Sequence, residues 1–290
     1  ELGSYYKQKP NKRGFFKQFP TRLWLYYRYK DRNSKFARWT LRKQAEPPAI
    51  YDEALTQKTA RNFENVMRQR GYLKALCTYK SDTLGRYKMR ATYTLRLGPL
   101  YTIDSVSFAS RDSQALQILY MTGNNSLLHR GEALDARLFD QERLRVTNEM
   151  NNRGYAYFTP NFVRFNGDST GTRSKVQVEI LPPSDTGMHK VYTINQILVR
   201  VGLVTDYSYI RRDQMFNDVY FITADTVFSV RPERLYKAIA IRPSWPYRQV
   251  DFDKTLRDLN SLGIYRFVTV KHIPDTTDPS KINVDIALSP

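Results

Sequence analysis

Residues 101–108 read Tyr-Thr-Ile-Asp-Ser-Val-Ser-Phe, and residues 192–199 read Tyr-Thr-Ile-Asn-Gln-Ile-Leu-Val. Tyr101/Tyr192, Thr102/Thr193 and Ile103/Ile194 are identical; Asp104/Asn195, Val106/Ile197 and Phe108/Val199 are close replacements. Both segments have the length and the β-branched and aromatic content of strands, and the recurrence marks a tandem repeat. Three amphipathic helices accompany them, each stopping at a glycine: Gly71-Tyr72, Gly154-Tyr155 and Gly263-Ile264-Tyr265. Four residues before each glycine stands a large apolar residue, Met67, Met150 or Leu259. One or two turns earlier come Ala60 and Phe63, Phe139 and Val146, Phe252 and Leu256. That spacing makes one buried helical face, and glycine after the last turn supplies a left-handed stop. Asp135 and Asp251 are the expected N-caps of the second and third helices.

After each glycine the pattern predicts a hairpin. The first runs 72–80, turns at Ser81–Gly85 and returns over 87–97, where Tyr87, Met89, Ala91, Tyr93, Leu95 and Leu97 alternate with mostly polar residues. The second runs 155–165, turns near Asn166-Gly167-Asp168 and returns through Val176, Val178 and Ile180. The third runs 265–273, turns near 274–279 and returns through Ile282, Val284, Ile286 and Leu288. Shorter helices are predicted over about 113–121 and 232–240, the latter opened by Pro232. The unit is therefore strand–helix–helix–strand–strand, and the fold class is α+β. The expected units are 1–99, 100–185 and 188–290, the last with an insertion over 203–229. No Tyr-Thr-Ile-like strand opens the first unit, so that strand is expected upstream of Glu1. Strand 87–97 would then have an open edge, recruiting a neighbouring chain or residues 1–10. The link between the first two units is expected to be stiff, and the second, 181–187, to bend more.

Composition narrows the function. The chain has 290 residues, 41% hydrophobic, a prior of two or three domains, and no apolar run of membrane-spanning length. One cysteine, Cys77, excludes an internal disulfide, and His129, His189 and His272 show no ligand spacing. No H-E-x-x-H, triad order or phosphate loop is present, so no catalytic, cofactor-binding or metal-binding residue is assigned and no enzyme is expected. The net charge of +18 implies an acidic partner. Residues 1–45 carry +11 of it, with thirteen Lys/Arg interleaved among eleven aromatics. One reading is a helical insertion whose Tyr and Trp pack inward while the cations are solvated. The other is a contact surface for anionic lipid, an acidic protein or nucleic acid, using Lys12, Arg13, Lys17, Arg22, Arg28, Trp24 and Trp39. No nucleic-acid-binding signature supports the last of these.

The tandem unit with glycine-aromatic after its second helix resembles the POTRA (polypeptide-transport-associated) domain. Leu97-Gly98-Pro99-Leu100-Tyr101-Thr102-Ile103 is similar to the junction of two such domains, and His129-Arg130-Gly131-Glu132-Ala133-Leu134-Asp135 to the turn between their helices. Arg242-Pro243-Ser244-Trp245-Pro246-Tyr247 takes that place in the third unit, with Ser244 where glycine is usual. Asn260–Phe267 resembles the matching stretch of the POTRA nearest the barrel. The resemblance is to the periplasmic part of outer-membrane β-barrel assembly proteins, BamA-like or TamA-like, without the barrel.

It implies three-stranded mixed sheets with two helices on one face and the second strand at an edge. It also implies a periplasmic scaffold of a Gram-negative outer-membrane protein, continuous with a C-terminal membrane barrel. Expected partners are unfolded outer-membrane proteins and an accessory or inner-membrane assembly partner; an anionic lipid surface is a further candidate, and nucleic acid is not expected. The candidate docking edges are Leu73, Ala75, Cys77 and Tyr79 in the first unit, Tyr155, Tyr157, Phe162 and Val163 in the second, and Phe267, Val268 and Val270 in the third. Lys74, Lys80 and Lys271 would blunt these edges if they are merely solvated. The alternatives are a basic nucleic-acid-binding protein, or a POTRA module of a secretion or cell-division protein.

Overall fold

The computed structural model describes residues 2–11, 20–85, 88–184, 187–202 and 210–289. The chain divides into two compact units, Glu1–Thr102 with Ala133–Arg137, and Ile103–Glu132 with Leu138–Pro290.

In the first unit α1 (Thr21–Tyr29) and α2 (Lys35–Lys43) form a short helical hairpin, followed by α3 (Glu53–Gln69). The Ser34 hydroxyl accepts from the Ala37 N–H at the start of α2, and Asp52 accepts from the N–H groups of Ala54 and Leu55 at the start of α3. β1 (Leu76–Thr83) and β2 (Met89–Arg96) pair antiparallel as a two-stranded sheet. Val66, Met67 and Ala75 form its small core with Leu2, Tyr72 and Leu95 against them. Residues Leu2–Tyr5 form a 3-10 helix rather than a surrogate strand. The Lys7 N–H donates to Thr59 Oγ1 at 3.1 Å, and the Tyr6 ring sits edge-on to Phe63 and Tyr93 at 5.0 and 5.7 Å. Aromatic packing on α3 thus holds this segment in place of backbone pairing along β2.

The second unit begins with β3 (Thr102–Ser110), α4 (Ser113–Thr122), α5 (Ala136–Asn151), β4 (Val163–Thr170) and β5 (Arg173–Ile180), in the sheet order β3-β5-β4. It continues with β6 (Thr193–Val201), β7 (Arg212–Phe216), β8 (Val219–Thr223), α6 (Pro232–Ala238), α7 (Gln249–Ser261), β9 (Phe267–Pro274) and β10 (Lys281–Ser289), in the order β7-β8-β6-β10-β9. β10 runs parallel to β6 and antiparallel to β9. The α+β class holds. The strand number differs from three in two of the sheets: β1–β2 has no third strand among the described residues, and the insertion adds β7 and β8 beyond β6. Asn217 and Asp218, both at positive φ, make the two-residue turn between β7 and β8. Left-handed dihedrals at both central positions match the right-handed twist of a hairpin.

Two further details depart from expectation. The second hairpin turns not at 166–168 but at Gly171-Thr172, where Thr170 pairs with Arg173 and Gly171 has φ +68°. Asp251 does not cap α7; Arg248 holds the N-cap position and Asp251 lies in the first turn, where its charge still complements the helix dipole. Asp135 behaves as expected, its Oδ1 accepting from the Arg137 N–H at 2.9 Å.

The repeat is visible in the hydrogen bonds. In the first unit the Tyr101 N–H donates to the Gly71 carbonyl and the Leu134 N–H to the Tyr101 carbonyl, at 2.9 and 3.0 Å. In the second unit Tyr192 donates to Gly154 and Tyr247 to Tyr192, at 2.8 and 2.9 Å. Gly131 and Glu132 bracket Ile103 in the same way that Ser244 and Trp245 bracket Ile194, through the N–H of the first residue and the carbonyl of the second. Gly131 has φ +92° and Ser244 φ +64°, so Ser244 bears a left-handed backbone that disfavours a Cβ. Replacing Ser244 with Gly is expected to raise stability by up to about 1 kcal/mol, read as a higher urea midpoint at unchanged slope.

Candidate functional site

Open sheet edges are the structural feature that can take a partner by backbone pairing. β4 and β9 end their sheets, and among the described residues neither has a strand on its outer side. Each is the first strand of the hairpin that follows a long helix, β4 after α5 and β9 after α7. Cys77 and Tyr79 lie on β1, Val163 opens β4, and Phe267, Val268 and Val270 lie on β9.

The remaining expected edge residues are elsewhere. Leu73 and Ala75 belong to the turn between α3 and β1, where the Ala75 N–H donates to the Tyr72 carbonyl at 2.8 Å and Ala75 is buried. Tyr155 and Tyr157 lie in the turn after α5, and Phe162 in a 3-10 turn over Pro160–Phe162. The physical reason is burial. The helix stop is followed by a tight turn that drives Tyr155 into the core, whereas a strand would have presented alternate residues to solvent. Tyr157 packs edge-on to Tyr192 and His272 at 5.0 and 5.1 Å. Burial of His272 keeps its imidazole below the ordinary histidine range. His189 Nε2 lies 2.8 Å from the Leu181 carbonyl, with its ring among Tyr155, Phe158 and Phe162.

The edges are not equally available. At β1, Glu64 on α3 accepts from the Cys77 N–H at 3.4 Å, and the Arg68 Nε donates to the Ala75 carbonyl at 3.3 Å. Those side chains already satisfy backbone groups that an added strand would need. Burial and the Glu64 charge also push the Cys77 thiol up, which disfavours the thiolate. At β4, the Arg143 Nε donates to the Val163 carbonyl at 3.2 Å, covering the strand's start. Arg164 and Asn166 both donate to Glu179 on β5, at 2.8 and 2.7 Å, and hold its carboxyl below the usual range. At β9, Phe267 is 62% exposed and Ile273 53% exposed, with Lys271 also outside. Val268 and Val270 lean on the core beneath. β9 therefore offers apolar side chains on its solvent face, with a lysine that discourages edge-to-edge self-association.

The basic-aromatic segment is placed only in part. Lys12, Arg13 and Lys17 lie outside the described residues. Arg22, Trp24 and Arg28 lie on α1 and Trp39 on α2, all exposed, so the tryptophans do not pack inward. Among the described residues no helix is long and apolar enough to cross a membrane.

No family model matches the chain, and no curated protein matches it. Among solved structures it is similar to Haemophilus influenzae BamA POTRA3-5, at 14% identity and a TM-score of 0.44, over 90% of this chain and 93% of that one. It is also similar to POTRA1-3 of the periplasmic domain of Omp85 from Anabaena, at 12% identity and 0.28, over 84% of each chain. A third is the N-terminal domain of Omp85 from the thermophilic cyanobacterium Thermosynechococcus elongatus, at 12% and 0.27, over 89% of this chain and 93% of that one. No residue role is carried across from these structures.

Proposed function

We propose that the chain is a tandem POTRA module of an outer-membrane β-barrel assembly protein, with repeats near 1–99, 100–185 and 188–290. On this reading it works in the periplasm as a scaffold that receives unfolded outer-membrane polypeptides and guides them to a C-terminal barrel. An accessory or inner-membrane assembly protein is the second kind of partner. No covalent step is involved. The observation that carries the reading is the placement of β4 and β9, the same hairpin strand of two successive repeats, at open sheet edges. An extended client adds as a further strand and gains main-chain hydrogen bonds that do not depend on its sequence. That suits a receptor for many different nascent strands.

The test separates backbone pairing from side-chain recognition. A labelled peptide with the alternating pattern of a barrel strand is titrated against the protein by fluorescence anisotropy, beside the same peptide N-methylated at alternate residues. Methylation leaves every side chain in place and removes the ladder donors from one edge. Binding of the plain peptide with loss of at least about tenfold on methylation is expected, the equivalent of one or two net hydrogen bonds. Equal binding of both peptides would exclude β-augmentation.

A further inference from the structure

We propose that the α1–α2 hairpin is a docking surface for an anionic phospholipid bilayer, a function beyond client reception. α1 reads Thr-Arg-Leu-Trp-Leu-Tyr-Tyr-Arg-Tyr and α2 reads Lys-Phe-Ala-Arg-Trp-Thr-Leu-Arg-Lys, with no acidic residue in either. Helical spacing sorts their side chains. On α2, Ala37 and Thr40 are buried, and the opposite face presents Lys35, Arg38, Trp39 and Arg42. On α1, Trp24, Tyr27 and Arg28 share one exposed strip. Trp24, Tyr27, Phe36 and Trp39 are 51%, 53%, 61% and 49% exposed, a large uncompensated apolar area for one short hairpin. Basic side chains beside half-exposed Trp and Tyr on short helices match the bilayer interface, where rings sit at headgroup depth and cations meet lipid phosphates.

Charge alone would equally suit single-stranded nucleic acid, which binds by stacking bases on free ring faces. Here several faces are already used. Phe36 and Trp39 stack on each other at 5.9 Å with an interplanar angle of 30°, and Tyr29 meets Phe36 edge-on at 5.9 Å. The Lys30 ammonium lies over the Tyr27 ring at 5.4 Å, and the Arg32 guanidinium over Tyr29 at 5.7 Å. Ring edges with cations held beside them suit a headgroup layer better than base intercalation.

The full chain carrying Trp245→Phe is the reagent, because it leaves Trp24 and Trp39 as the only fluorophores of the three tryptophans. It is mixed with vesicles of phosphatidylglycerol and phosphatidylethanolamine, or of phosphatidylcholine, and sedimented at low and high salt. Binding to the anionic vesicles at low salt, its loss at high salt, and a blue-shifted emission quenched by brominated lipid are expected. Changing Lys35, Arg38, Arg42 and Lys43 together to Gln should weaken binding by on the order of several hundredfold at low salt, since each cation near an anionic surface contributes about fivefold. All four are exposed, so an unchanged circular dichroism spectrum and melting temperature should accompany the loss. Three results would overturn the proposal: no sedimentation with anionic vesicles at low salt, binding that survives the quadruple change, or binding with no change in tryptophan emission. Uptake of a single-stranded oligonucleotide in place of vesicles would give the first result and point to nucleic acid instead. Failure here leaves the peptide-binding test untouched, since the hairpin and the β4 and β9 edges are probed by different ligands.

Discussion

Truncating Leu259 to Ala is expected to destabilise its repeat by about 2–5 kcal/mol, and Met150→Ala to do the same in the preceding one. Both side chains are fully enclosed, at 0% exposure, each on the last turns of a long helix that packs onto a sheet. Leu259 meets a core built from β6, β8 and β10, including Ile197, Phe221, Val284 and Ile286. Removing three carbons there leaves a void that such a packed layer does not refill. Urea unfolding followed by far-UV circular dichroism is the measurement. Arg153→Ala, on the solvent side of the helix stop, is the control and should move the midpoint little. If the control and Leu259→Ala shift it equally, the helical face is misassigned.

Glu142→Ala should cost a similar amount, about 3–5 kcal/mol, by a different route. The Glu142 carboxylate has no exposed surface and faces Arg145 at 2.7 Å. It also accepts from the Ser126 hydroxyl and the Leu127 N–H, both at 2.9 Å. It thereby ties the loop after α4 to α5 and leaves its own charge compensated. Its removal strands a guanidinium that is only 14% exposed and takes away the acceptor of the Leu127 N–H. Burial opposes ionisation, but the hydrogen bonds from Arg145, Leu127 and Ser126 outweigh it and hold the carboxyl below the usual range. A depressed carboxyl contributes stability above its unfolded value of about 4.3 and loses it as the pH falls through the folded value. Wild-type stability should therefore decline below pH ~4.3 more steeply than that of Glu142→Gln, which has no charge to lose. Parallel acid profiles would contradict the assignment.

Periodicity and punctuation made most of this architecture legible. Gly71, Gly154 and Gly263 all adopt positive φ at helix ends, as their position in the pattern implied. At Gly154 an added Cβ would come within 2.5 Å of Val191 Cγ1, so any side chain there would have to displace Val191. The Tyr101/Tyr192 identity corresponds to matching hydrogen bonds to Gly71 and Gly154. β1 and β4 start later than the periodicity predicts, because a tight turn that buries Tyr155 and Ala75 shows the same apolar alternation as a strand. The β7–β8 hairpin carried a readable signal in Asn217-Asp218 between two short apolar stretches, which the expectation of a plain insertion passed over. That β4 and β9 end their sheets agrees with the edges expected from the POTRA resemblance, but which backbone groups of an edge are already occupied was not legible. Glu64, Arg68 and Arg143 reach back from the helices that precede β1 and β4, and only the turn geometry between helix and strand shows which side chain meets which backbone group.

The most direct measurement is amide hydrogen exchange of the full chain, with and without a saturating unfolded outer-membrane protein. If clients join the sheets as added strands, the outward N–H groups of β4 and β9 should exchange quickly in the free protein and become protected in the complex. Protection should be largest over Phe267–Ile273, and small at β1, where Glu64 already holds the Cys77 N–H. Protection confined to helix surfaces, or none on β4 and β9 at saturation, would contradict the account.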